Sequence, residues 1–114
     1  MANTFKNFFS KDVGTSAATL YTCPSSTQTT IIGFSIANTS ISPITASAYI
    51  TSSGVNYYLI KDATIPAGGA LVVVGGDQKV VLEPTDVLKA ITSADATADA
   101  IVSLLEITYY GLYW

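Results

Sequence analysis

Apolar side chains recur at every second position over short stretches of this chain, and polar turn residues interrupt those stretches at short, even intervals. Successive side chains of an extended strand point to opposite faces, so each stretch can be read as a pair of faces. Across 30–38, Ile32, Phe34 and Ile36 share one side. Across 99–107, Ile101, Ser103, Leu105 and Ile107 oppose Val102, Leu104 and Glu106. Apolar residues on both faces predict a strand that is central in its sheet or covered by a neighbouring subunit. Across 56–65, Tyr57, Leu59 and Lys61 alternate with Tyr58, Ile60 and Asp62, which suits an exposed edge or a subunit contact.

Turn chemistry separates these stretches at Cys23-Pro24-Ser25-Ser26, Asn38-Thr39-Ser40, Ser52-Ser53-Gly54, Pro66-Ala67-Gly68-Gly69, Gly75-Gly76-Asp77 and Glu83-Pro84-Thr85-Asp86. Between the turns, residues rich in Thr, Val, Ile and Tyr predict strands over 19–22, 30–38, 44–51, 56–65, 70–74, 79–82, 87–92 and 99–107. This is the spacing of an all-β antiparallel sandwich or barrel with about eight strands and almost no helix. In "IPAGGALVVVGGDQKVVLEPTDVLKA" we expect Leu71 to Val74 to cross the core, Gly75-Gly76-Asp77 to return the chain as a hairpin, and Pro84 to end the next strand. No helix with a following Lys-Ser or Lys-Thr accompanies these glycines, so a phosphate loop is not predicted.

Charge narrows the function more than the pattern does. The 114 residues include five lysines, eight carboxylates, no arginine and no histidine, for a net charge of −3. Five dispersed lysines without an arginine fork make no basic stripe, so nucleic acid is not an expected partner. The absence of histidine removes the usual general base and the commonest metal ligand, and no enzymatic activity or cofactor is expected. Asp95, Asp99 and Asp86 lie in or beside predicted turns and read as turn caps rather than calcium ligands. Cys23 is the single cysteine, which permits no internal disulfide and reads as a small apolar residue at a strand end. No apolar run approaches the roughly 20 residues that cross a bilayer, and "MANTFKNFF" lacks a signal-peptide core, so neither a membrane nor secretion is expected. Asn38-Thr39-Ser40 fits a glycosylation pattern that secretion alone would make relevant.

The stretches "TLYTCPSSTQTTIIGFSIANTS", "YYLIKDATIPAGGALVVVGGDQKVVLEPTDVLKAITS" and "AIVSLLEI" resemble small virion structural proteins of tailed bacteriophages, notably cyanophages, over roughly residues 12 to 107. That resemblance implies a β-sandwich of jelly-roll type that packs into a particle assembled in the host cytoplasm and catalyses nothing. It implies contacts with copies of itself and with other virion proteins such as the major capsid protein. Head decoration, or cementing, is the role expected first, with a neck, tail or baseplate adaptor as the alternative.

Composition agrees. Serine and threonine make up 27 of 114 residues, which keeps outward strand positions polar without charge and lets identical subunits approach with little desolvation cost. Seven of the twelve aromatic residues lie in the first nine or last six positions. We therefore expect a single domain over 1–114, with an N-terminal arm over 1–15, a sandwich core over 16–107 and an aromatic tail over 108–114. The candidate interface comprises Phe5, Phe8, Phe9, Tyr57, Tyr58, Tyr109, Tyr110, Tyr113 and Trp114. Large aromatics at chain ends either seal their own sandwich or anchor in a neighbour. A further alternative uses Tyr57, Tyr58 and the terminal cluster as a platform for sugar rings, although adjacent strand residues point to opposite faces. No metal site and no small-molecule substrate are expected.

Overall fold

A computed structural model describes residues 2–109. Its nine strands are β1 Ala2–Val13, β2 Ala18–Thr22, β3 Thr27–Asn38, β4 Ile44–Ser52, β5 Val55–Ile65, β6 Ala70–Val74, β7 Val80–Leu82, β8 Val87–Thr92 and β9 Ala98–Thr108. All eight predicted stretches are strands. The segment read from sequence as an N-terminal arm is strand β1, antiparallel to β9 from Ala2↔Thr108 to Ser10↔Ala100 without a break.

One sheet runs β1-β9-β3-β6 with β7 also beside β3, and the other runs β2-β8-β4-β5. Counting the eight longer strands in chain order gives 1-8-3-6 facing 2-7-4-5, the paired Greek keys of a jelly roll. Every connection crosses between the sheets except the β4–β5 hairpin and the β6–β7 link. That hairpin turns on Ser53 and Gly54, both at positive φ (52° and 78°), and two such residues match the natural twist of the flanking strands. Phe34, Ile31, Ile36, Val102 and Leu104 from the first sheet meet Leu88, Ile44 and Ala48 from the second in a closed apolar core.

Three local readings are corrected by the backbone. Gly75-Gly76-Asp77 does not return the chain: β6 pairs with 34–37 of β3 and β7 with 29–31, both antiparallel, so β6 and β7 run on in one direction as an interrupted edge. Turn chemistry makes the chain leave the ladder there, but β3 captures it again further along. Secondly, the β3–β9 register shifts between Ile31 and Gly33, and this bulge changes which residues face inward. Ile31, Phe34 and Ile36 are buried together while Ile32 is only half-buried, so Ile32 does not share their face. Thirdly, β5 is bulged twice, pairing Tyr58 with Tyr49 but Ile60 with the adjacent Ala48, so Tyr58 and Ile60 stand on opposite faces. β5 is nonetheless an edge strand, one of the two placements its pattern allowed.

Candidate interaction surface

Residues directly opposite each other in an antiparallel ladder share a face, so the register builds the outer surface of the first sheet row by row. One row reads Phe5, Leu105, Thr30, Val81 across β1, β9, β3 and β7. A second reads Phe9, Ile101, Ser35, Val72 across β1, β9, β3 and β6. Between them lie Asn7 and Ser103, which with Phe5 and Ile32 line a shallow hollow. Phe5 is 75% exposed, Phe9 71%, Val72 67%, Val81 60% and Ile101 48%. Several large apolar side chains exposed on one face are uncommon on a free monomer, which makes this face the candidate contact surface.

Charge reaches this face at its end, where Lys11 and Asp99 pair beside Phe9 and Ile101. Lys6 points the other way, toward β2, and its Nζ lies 2.8 Å from Oε1 of buried Glu106. The Tyr21 hydroxyl donates to Oε2 of the same carboxylate at 2.5 Å and lies 2.7 Å from the Thr29 hydroxyl. Burial pushes the Glu106 carboxyl up, but the Lys6 ammonium and the Tyr21 hydroxyl outweigh it and hold it below its ordinary value. Burial, with the bond to Glu106, drives Tyr21 far above the usual phenol range. Phe8 packs its ring on Tyr21 with centroids 4.9 Å apart. This cluster joins β1, β2, β3 and β9 beneath the apolar rows.

The far end of β1 is tied by polar contacts. Lys11 Nζ donates to Asp99 Oδ2 at 3.1 Å and the Asp12 amide donates to Asp99 Oδ1 at 3.2 Å. Those two bonds, the Lys11 bond foremost, lower the Asp99 carboxyl below its ordinary value, and the same pair raises Lys11. Asp95 accepts from the Thr15 hydroxyl and amide, which lowers it too. Asp99 therefore fastens the end of β1, and Asp95 the Thr15 segment just after it, rather than capping their own turn. Asp86 does cap its turn, accepting from the Glu83 amide at 2.9 Å.

The candidate aromatics fall into separate places. Phe5 and Phe9 stand on the outer face, whereas Phe8 lies beneath it. Tyr57 and Tyr58 are exposed on β5, the far edge of the other sheet, so they do not join Phe5 and Phe9. The Tyr58 ring is engaged by Tyr49 at 5.0 Å between centroids and by Lys61 Nζ at 4.8 Å. Tyr109 donates its amide to Ser26 O at 2.9 Å and its hydroxyl to Gln28 Oε1 at 3.2 Å. Tyr110, Tyr113 and Trp114 lie outside the described residues. The contributions of Ile101, Val72 and Val81 were missed from sequence, because without the register nothing aligned them with Phe5 and Phe9.

Cys23 is buried, and burial raises its thiol, so it is not poised as a thiolate nucleophile. Asn38 is also buried; its Nδ2 donates to the carbonyls of Ser42, Ile65 and Pro66, an arrangement that leaves no room for a glycan. Among the described residues no group of three or more His, Cys, Asp or Glu side chains converges as a metal site would require.

No protein-family model matches the chain, and no curated protein sequence matches it. Solved structures do. A subunit of Bacillus endospore appendages, described as disulfide-linked pili, superposes with a TM-score of 0.57 at 13% identity, covering 96% of this chain and 88% of the other. A chain of infectious bursal disease virus, Gx strain, gives a TM-score of 0.57 at 17% identity over 98% of this chain and 33% of its own length. A chain of the T13 particle of the same virus gives 0.55 at 13% identity, with coverage of 96% and 31%. The fold is shared with pilus and virus-particle chains. This chain spans about a third of the viral proteins and nearly the whole length of the pilus subunit.

Proposed function

We propose that this chain is a non-enzymatic structural subunit of a virion, and that it decorates and cements the head by burying the outer face of its β1-β9-β3-β6 sheet against neighbouring subunits. The observation that carries this reading is the pair of apolar rows on that face, in which Phe5 and Phe9 stand exposed while Lys6 and Glu106 pair on the inward side. The motif resemblance to tailed-phage virion proteins supports it, as does a fold found in virus-particle chains. Stabilisation is additive: each copy buries the same rows, so opening the shell breaks many small contacts at once.

A neck, tail or baseplate adaptor would use the same surface in fewer copies. Quantitative mass spectrometry of purified virions separates the two. Decoration predicts copies in a large simple ratio to the coat protein; a ratio near the six- or twelve-fold symmetry of a tail axis would move the protein there, and its absence from the particle would refute the virion role. A filament subunit is the second reading, favoured by the near full-length correspondence with the pilus chain. A disulfide-linked version is disfavoured because the lone Cys23 is buried. Filaments formed by the purified protein alone, seen by electron microscopy, would decide for it. The sugar-platform alternative loses support, since Tyr58 is already engaged by Tyr49 and Lys61.

A further inference from the structure

Exposed sheet edges offer a row of unpaired N–H and C=O groups, and proteins usually blunt them with bulges, proline, charge or brevity. Three edges of this sandwich are blunted so. β2 is five residues long with a register shift, and β5 carries two bulges, with Asp62 at a φ of 51°. The β6–β7 edge is interrupted between Val74 and Val80. β1 is different: it is twelve residues long, contains no proline, and keeps register with β9 without a break from Ala2 to Ser10. Its only charge over that run, Lys6, is drawn inward to Glu106. No strand lies on its free side among the described residues.

We propose that two copies of this chain pair along β1, antiparallel, about a two-fold axis at Asn7. A continuous sheet keeps outward residues on one face, so the axis must pass at a residue rather than between two. At Lys6 it would set like charges opposite each other, which disfavours pairing. At Asn7 it sets Phe5 against Phe9 of the copy, twice, and opposes no like charges. That register also keeps positions 4–10 of both strands within the regular run. The edge is thus complementary to itself, as a two-fold interface requires. Pairing doubles the sheet and joins the apolar rows of two subunits into one surface. It deepens the assembly reading and rests on it for its purpose, though not for its geometry.

The test is cross-linking at the axis. Asn7 is exposed, and Asn7→Cys sets the introduced thiol opposite itself, about 4.5–5.5 Å away between Cβ atoms. A one-carbon bis-methanethiosulfonate linker should join this variant into covalent dimers about a hundredfold faster than Asn3→Cys, whose partner position is Lys11 of the copy. Buried Cys23 gives the background, read from the unmodified chain. Independently, Phe5→Lys combined with Phe9→Glu should keep the dimer in sedimentation velocity, because the two substitutions face each other across the axis. Phe5→Lys with Phe9→Lys should lose it. Equal cross-linking at positions 7 and 3, or equal behaviour of the two double variants, overturns the pairing. A chain abundant in particles that fails these tests keeps its assembly role without this interface; one that passes them but is absent from particles keeps the interface and loses the role.

Discussion

Replacing Phe5 and Phe9 together with aspartate should leave the fold intact and abolish binding to the particle. Both side chains are more than two-thirds exposed, so folding loses little from their removal, about 0.5 kcal/mol or less at each position. Association loses far more. A large aromatic buries about 150–250 Å² when it docks, and full burial of such a side chain contributes about 1.5–3 kcal/mol. Two of them per subunit amount to a weakening of about a hundredfold or more, before the cost of placing carboxylates in an apolar contact. Ile41→Asp is the control, because Ile41 is 98% exposed in the β3–β4 loop and takes no part in the two rows. Co-sedimentation with particles and thermal melting of each variant read the two effects separately. Unchanged binding by the double aspartate variant would place the contact elsewhere on the molecule.

Lys6→Met should destabilise the folded chain near neutral pH, by an amount that shrinks as the pH falls. Glu106 is buried on a face otherwise shared with Val102 and Leu104, and Lys6 is one of its two polar partners. Removing one member of a buried pair costs about 3–5 kcal/mol; Lys6 is half-exposed, which brings the expectation to about 2–3 kcal/mol, or a Tm lower by about 10 °C. The sign of the pH effect follows from the carboxyl's position. In the native chain Glu106 titrates below its ordinary value, so its contribution is complete above that value and disappears as pH falls through the lower folded one. Without Lys6 the effect of burial is opposed by Tyr21 alone, the carboxyl moves up, and less stability rides on its ionisation, so the loss in acid should be shallower than in the native chain. Glu106→Gln in the Lys6→Met background should flatten that dependence. Thermal melts from about pH 3 to 8 measure all three chains, and superimposable acid limbs would show that the pair does not anchor β1.

Eight strands were legible because turn residues and β-rich stretches alternate in sequence, and local chemistry of that kind survives folding. β1 was missed because asparagine and lysine between its phenylalanines lower its local strand propensity. The alternation Asn3, Phe5, Asn7, Phe9 was nevertheless there to be read, with Lys6 and Phe8 on the other side. Side-chain phase was lost wherever a bulge intervened. Ile32 looks equivalent to Phe34 until the register shifts beside Gly33, and an isolated glycine inside a strand pattern is the available warning. The Gly75-Gly76-Asp77 loop shows the complementary failure, since glycines state that a chain can bend but not which strand receives it afterwards. The candidate interaction surface was half legible. Its aromatic members announced themselves by size, whereas Ile101, Val72 and Val81 joined them only through pairings across long sequence separations.

Hydroxyl-radical footprinting of the chain, free and assembled on its particle, reads the proposed contact most directly. Burial of the outer sheet face predicts strong protection of Phe5 and Phe9 on assembly, with Tyr57 and Tyr58 reporting independently on the β5 edge. Phe5 and Phe9 oxidised as readily on the particle as in free solution would contradict an assembly role for that face.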